Sequence, residues 1–429
     1  MVREMLNPDR CIEQARALHR AVGSVGADWE IGIFHRLSST MRLRVGEQGE
    51  SAELLVGRDD GAALQARSRQ DGSTVFAACS GLDADHLKRE LARAAEHGEG
   101  PGGAERELWP LGGEAVSIDR DEPQELPPRA DLETWLEKAR NELLQPRHRD
   151  RRLRPPAECR VEVAVVTETW VADGGLVASR TRRRSWGLAR PAAEADRPAQ
   201  RPLVIASRRW EELPVDGWRT ILDDRRIGRG AGKPAGAGVA TFPVLFNPEC
   251  SAELGLGLVK ALHDPALDPG LALAASWTIT DDPTSPAALF GAKFDDAGFP
   301  TAPKILVRGG RLAGRLDGAG HYRRPSYRDR PGPMPTHLGV DVPGAQPPPR
   351  FLLVTRVTLH PLGPLRWGLE IDGAVLDGGQ PASRVRGGFI ATSPTELARR
   401  CVASVGPSRP SYLGVQTAAL LFDGLPVRI

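Results

Sequence analysis

The chain has 429 residues, with 57 Lys and Arg against 55 Asp and Glu, a net charge of +2, so no global field draws in nucleic acid or acidic lipid. Forty per cent of it is hydrophobic, enough to bury cores in two or three domains, yet no apolar run reaches the roughly 18 residues of a membrane span. The N-terminus MVREMLNPDR has no apolar core after its first charges, and Cys11, Cys79, Cys159, Cys250 and Cys401 are scattered singly. These features exclude a secretory disulfide framework and a cysteine-rich zinc site, and imply a cytoplasmic protein with buried thiols.

Pro8 to Val22 reads as a helix, with Ile12, Ala15, Leu18 and Val22 at helical spacing and Gly23 just beyond. Five short strands follow, Trp29–Phe34, Met41–Val45, Ala52–Val56, Ala63–Ser68 and Val75–Ala78, and then a second helix, Asp83–His97, with Gly98 as its stop. Gly98 to Arg129 is rich in Gly, Pro and Glu without a period and reads as a linker or exposed crossover. A third helix, Leu132–Leu144, closes at Pro146. Beyond the basic segment 147–156, Cys159–Val171 and Leu176–Arg182 read as strands around the turn Asp173-Gly174-Gly175, followed by a Pro/Ala-rich excursion from Arg190 to Pro202. Trp210, Trp218 and Ile221 imply a short helix before the glycine-rich link 228–238, which is the expected domain boundary.

In the second half, Ala240–Phe246 reads as a strand, and Asn247-Pro248 caps a helix with Leu254, Leu258 and Leu262 on its apolar face. Gly255 and Gly257 within it each cost about 1 kcal/mol relative to alanine, which implies close backbone packing. Arg328–Arg350 reads as a loop, Phe351–Leu359 and Arg366–Ile371 as strands, and Asp372-Gly373 as the start of a turn. Ser393-Pro394-Thr395-Glu396 is a capping box, with Gly406 ending its helix and Ala418–Val427 forming a final strand.

The chain is organised around 276–316. Trp277 to Thr280 is a short strand stopped by Asp281-Asp282-Pro283, Phe294-Asp295-Asp296-Ala297-Gly298 is a turn, and Lys304–Val307 runs to the hairpin pair Gly309-Gly310. That turn sets Val307 opposite Leu312 and Leu306 opposite Ala313, and also faces Arg308 with Arg311. A strand ending in Asp-Asp-Pro, a Phe-Asp-Asp-x-Gly turn and an apolar strand closing at Gly before Leu together resemble the core of the TldD/PmbA family, in which PmbA is also called TldE. The resemblance implies a heterodimer of a zinc-bearing TldD-type peptidase subunit and a metal-free TldE-type subunit, acting on unfolded or short peptides, including precursors of natural products.

A TldD-type subunit carries HExxxH on the helix before the Asp-Asp-Pro stretch. The matching place here is His263-Asp264-Pro265-Ala266-Leu267-Asp268. His263 and Asp268 offer a weak metal pair and Asp264 a shortened general base, but Pro265 breaks the helix that would aim them. The family's cysteine ligand corresponds to Val405-Gly406-Pro407-Ser408, where there is no thiol, and Cys401 falls inside the expected helix. The resemblance is therefore to the metal-free subunit.

Other constellations have ordinary readings. Asp281, Asp282, Asp295 and Asp296 would offer oxygens to a cation but read as turn residues. His321, His337 and His360 lack metal-type spacing. Arg180, Arg182, Arg183 and Arg184 with Trp186 resemble a nucleic-acid patch and read instead as a solvated or partner-facing surface at a strand end. Gly228-x-Gly230-x-Gly232-Lys233 lacks the ending of a phosphate loop.

The expected fold is α+β, an N-terminal α/β layer with an antiparallel sheet and flanking helices (1–235, with a subdivision near 100–130 left open) followed by a β-rich, barrel- or sandwich-like domain (236–429). The resemblance implies a non-catalytic subunit with no cofactor of its own. It implies a TldD-like zinc peptidase as partner and a peptide as substrate, and neither membrane nor nucleic acid is expected as a partner. The alternatives are a diverged metallopeptidase active by itself and a DNA- or gyrase-associated binding protein.

Overall fold

The structure is a computed structural model that describes residues 7–24, 27–46, 52–97, 116–119, 126–149, 156–190, 202–230, 233–262, 277–316, 320–324, 326, 328, 332–363 and 366–429. The fold is α+β, with an N-terminal antiparallel sheet flanked by helices and a β-rich C-terminal half.

The first sheet has seven strands. β1 (Trp29–Gly46), β2 (Glu53–Ser68) and β3 (Thr74–Ser80) lie on one side, and β4 (Val116–Asp119), β5 (Glu158–Ala172), β6 (Val177–Arg190) and β7 (Leu203–Ser207) on the other, in the order β3-β2-β1-β5-β6-β4 with β7 also on β6. The helix α1 (Pro8–Gly23) starts at Asn7, whose side chain accepts from the Asp9 amide. It buries Ala15, Leu18 and Val22 with Leu87 and Leu91 of α2 (Ala84–His97) against Ile31, Ile33 and Leu64. A second core joins α3 (Arg129–Arg149) and α4 (Gly217–Gly230) to the other end of the strands through Trp135, Leu136, Trp218 and Ile205.

The four short strands expected between 29 and 68 are two long ones, and the strand expected to stop at Arg182 runs on to Arg190. Both breaks were placed at polar runs, and members of both runs turn out to be paired: His35 bonds Asp60, the Ser38 hydroxyl donates to the Asp59 carbonyl, and Arg180 and Arg182 bond Glu168. A paired polar side chain is as compatible with a buried strand as an apolar one. The expected linker 98–129 contains β4, which pairs in parallel with β6, and α3 continues across Pro146 to Arg149, although proline removes one helical donor there.

The second sheet begins at β8 (Lys233–Pro234) and includes β9 (Val239–Phe246), β10 (Thr278–Asp281), β11 (Lys304–Arg308) and β12 (Arg311–Leu312). A small separate ribbon is formed by β13 (Tyr322–Arg323) and β14 (Gly332–Pro333), and β15 (Leu338–Asp341), β16 (Arg350–Pro361), β17 (Trp367–Asp377), β18 (Gln380–Thr392), β19 (Cys401–Pro410) and β20 (Val415–Arg428) complete the half. The pairings β20–β9–β16–β17–β18–β20 close a five-stranded barrel. Alternation sorts its side chains: Val244 and Phe246 enter the main core with Leu254 and Leu258 of α5 (Pro248–Leu262), while Leu245 joins Ala374 and Leu421 on the opposite face.

The glycines of α5 sit where close packing was expected, since a Cβ on Gly257 would lie 2.9 Å from Leu359 and one on Gly255 3.2 Å from Val340. The hairpin at Gly309-Gly310 also has the expected register, Val307 with Leu312 and Arg308 with Arg311, both arginines exposed. The expected loop 328–350 contains β14 and β15. The expected turn at Asp372-Gly373 is a bulge within β17, and the hairpin turn is at Gly378-Gly379, whose φ angles are 56° and 80°. The capping box holds, with Ser393 accepting from the Glu396 amide, but α6 (Pro394–Arg400) ends at Arg400, not Gly406, and Cys401 opens β19.

The bulge in β17 makes Gly373 a sensitive test of barrel closure. A Cβ there would overlap the Leu353 carbonyl oxygen and lie 3.1 Å from Val354 Cα, both of them backbone atoms that cannot swing aside. Gly373→Ala should destabilise the protein by about 3 kcal/mol, read as a lowered urea midpoint with an unchanged m-value.

Candidate functional site

The row of residues Arg36, Glu168 and Arg180 lies directly across β1, β5 and β6 in register, on the face of the sheet that meets the turn 294–298. Arg180 is 1% exposed; its Nε donates to Glu168 at 2.7 Å, and its two terminal nitrogens donate to the Phe294 carbonyl and the Asp296 carboxylate. Arg182 donates to the same Glu168 oxygen and to the Phe290 carbonyl at 3.1 Å. Asp296 also accepts from the Arg324 amide at 2.6 Å, and the Arg324 guanidinium sits over Phe34, Phe76 and Trp170 while reaching Gln65. Gly298, at φ 91°, packs so closely that a Cβ would lie 2.6 Å from the Trp170 ring. The two halves of the chain are thus joined by a dry, charged seam.

Electrostatics decide which groups stay charged there. Burial alone would push the Glu168 carboxyl up, but the surrounding guanidiniums, Arg180 first, hold it well below the usual carboxylate range, and the same balance lowers Asp296. Asp295 is raised by burial despite amide donors from Phe299, Tyr322 and Ala297. Burial lowers Arg184 to about 10. The arginines read as a solvated surface are therefore corrected in part: Arg180 and Arg182 are interior members of this seam, and Arg184 stacks on Phe290.

Asp282, Asp295 and Asp296 stand in loops and turns, as expected, whereas Asp281 is the last residue of β10. Asp281 accepts from the Thr336 and His337 amides and from His321 Nδ1 at 3.1 Å; Asp282 caps Thr284; Asp295 accepts from the Ala297, Phe299, Gly320 and Tyr322 amides. His360 is a half-exposed neighbour of Glu370. Gly228 and Gly230 lie in the last turns of α4 and Lys233 opens β8.

Of the motif places, His263, Asp264 and Asp268 lie outside the described residues, which stop on that side at Leu262, the last residue of α5. The place of the cysteine ligand is on β19, at a bulge between Val405 and Arg409 where Gly406 takes φ 76°. Zinc does not fit what stands there, because a glycine, a proline and a serine provide none of the nitrogen, thiolate or carboxylate donors it prefers. Among the described residues no three His, Cys, Asp or Glu side chains gather as a metal site. All five cysteines are buried, and burial pushes the Cys401 thiol up to about 12.

Two hollows flank this region. One, of about 540 Å³, lies over β10, β15, β19 and β20 and includes Thr280, Ser404, Gly406, Ser408 and Gln416. The other, of about 530 Å³, opens between the halves, from Ile205 to Thr220 on one side and from the start of α5 to His337 and Gly414 on the other. The sequence reading did not reach Glu168 or the second hollow. Glu168, in the valine-rich Val161–Trp170 run beside a strand of arginines, was the signal for the seam.

Residues 240–428 match the family model of the PmbA/TldA metallopeptidase C-terminal domain. The second half of the chain is thus similar to the C-terminal domain of that family. Solved structures share its fold over nearly its full length. TldE from Thermococcus kodakarensis superposes with a TM-score of 0.72 at 16% identity, covering 97% of this chain and 100% of that one. A candidate modulator of a DNA gyrase from Thermotoga maritima gives 0.73 at 16%, covering 96% and 99%, and one from Bacteroides thetaiotaomicron 0.72 at 14%, covering 97% and 98%. No protein of curated function matches the sequence. In this chain the seam holds the matched C-terminal domain against the N-terminal sheet.

Because Glu168 and Asp296 are depressed, the stability they confer is full above their unfolded values and is lost as pH falls through their folded ones. Between about pH 5 and pH 3 the wild type should lose stability progressively, and Glu168→Gln, already about 3–5 kcal/mol weaker at pH 7, should lose less over the same range. Urea melts of both proteins across that window check this.

Proposed function

We propose that the chain is the metal-free, TldE-type subunit of a heterodimeric TldD/TldE-like zinc peptidase, cytoplasmic, and that it helps to build the chamber in which unfolded or short peptides are cut. The observation that carries this reading is the pair of degenerate ligand places: proline at 265 between His263 and Asp268, and Gly406-Pro407-Ser408 where the cysteine would stand. The left-handed backbone at Gly406 supports it further, since cysteine avoids that conformation. The hydroxyl-lined hollow beside Gly406 and Ser408 is suited to an extended peptide, whose main chain can bond to sheet-borne groups with little demand on its sequence. The fold shared with Thermococcus kodakarensis TldE agrees with the same assignment. Maturation of a peptide natural product fits the reading as one use of such a chamber. The halves on either side of residue 235 are read as its two domains.

The gyrase-modulator descriptions of two similar structures favour a second reading, a DNA-associated binding protein. Burial of Arg180 and Arg182 in ion pairs removes the sequence motif that would have served it. A diverged peptidase acting alone would need His263 and Asp268 to hold zinc with a third ligand.

Zinc content separates these readings. The purified chain is expected to be metal-free, and the pair co-expressed with a TldD-like protein from the same genome to hold about one zinc per heterodimer, with peptide hydrolysis present in the pair alone. Stoichiometric zinc in the isolated chain, lost in His263→Ala, would overturn the assignment, and salt-dependent DNA binding would favour the second reading.

A further inference from the structure

The hollow between the halves opens at the N-terminal end of α5, a helix of 15 residues about 22 Å long. Its volume of 530 Å³ falls within the range of roughly 300–1,000 Å³ typical of organic-ligand sites. Ile205, Leu289 and Pro410 give it apolar walls drawn from both halves.

His337 stands in this wall, only 5% exposed. Its backbone is fixed at both ends, the amide donating to Asp281 at 2.7 Å and the carbonyl accepting from the Asp282 amide at 3.0 Å. Its ring nitrogen Nδ1 is buried and has no hydrogen-bond partner among the described residues. A buried ring nitrogen without a partner has lost its hydration with nothing in exchange, and a ligand group in the hollow would supply the missing hydrogen bond. At the rim, Asp216 at the start of α4 and Arg409 on β19 are exposed and form no ion pair among the described residues.

We propose that this hollow is a second binding site, for a short zwitterionic peptide with apolar side chains. Its ammonium meets Asp216, its carboxylate meets Arg409, its side chains lie on Ile205, Leu289 and Pro410, and one of its amides bonds His337 Nδ1. An apolar floor between an unpaired anion and an unpaired cation selects against a purely anionic, purely cationic or purely apolar molecule. The site needs neither a metal nor a partner chain, so it stands or falls separately from the assignment above.

The test is titration of the isolated chain with leucyl-alanyl-leucine, following the His337 ring resonances by NMR, assigned by their loss in His337→Asn. The expected result is a saturable shift. N-acetylation of the peptide or Asp216→Asn should weaken binding, as should C-amidation or Arg409→Gln, each about two- to fivefold, the scale of an exposed ion pair. Ala287→Trp, which fills the hollow from its exposed wall, should abolish the shift. No shift up to the solubility limit, a doubly blocked peptide that binds as well as the free one, or a shift that survives Ala287→Trp would each overturn the proposal.

Discussion

Glu168 sits at the centre of the molecule because it has three roles at once. It pairs with both Arg180 and Arg182, it shares a cross-strand row with Arg36, and through Arg180 it reaches the Phe294 carbonyl and Asp296 on the far side of the seam. A buried charge removed from such a network leaves partners stranded in a dry environment, which costs far more than the pair itself contributes. The seam is therefore better understood as a device for orientation than as a source of net stability. Apolar surfaces would slide, but a guanidinium with three directional bonds fixes the turn 294–298 at one place and angle on the sheet.

That fixed placement is what gives the two hollows their shape. Asp295 of the turn holds the Tyr322 amide, the neighbouring His321 bonds Asp281, and Asp281 holds Thr336 and His337 just before β15. The site is built almost wholly from strand ends and turns resting on two cores, so the sheet supplies rigidity and the loops supply chemistry.

Much of this was legible in the sequence, for physical reasons that can be named. Helices announced themselves through caps and period: Asn247-Pro248 and Ser393-Pro394 each mark a start that the structure keeps, and the period from Pro8 marks another. The Gly309-Gly310 hairpin was legible down to its register because two adjacent positive φ values admit few turns. What was not legible were strands whose inward residues are charged. Arg180 to Arg184 looked like surface because nothing local tells an arginine that Glu168 and Asp296 will surround it. The same holds for the hollow between the halves, whose walls come from residues some 200 positions apart, a juxtaposition that periodicity cannot report.

β20 deserves a last consideration for its position in the order of assembly. It pairs with β9, β15, β18 and β19, all of which precede it, so none of the barrel can close until β20 has emerged from the ribosome. The N-terminal sheet, complete by β7, is free to fold first. Until then, β9 and β18 expose paired-strand edges to the crowded surroundings of a nascent chain, and the high sequence separation of β9 and β20 makes closure slow. Proteins of this build would thus depend on chaperones in the interval between the two halves, and destabilising changes in β20 would reduce yield more than they reduce the stability of molecules that have folded.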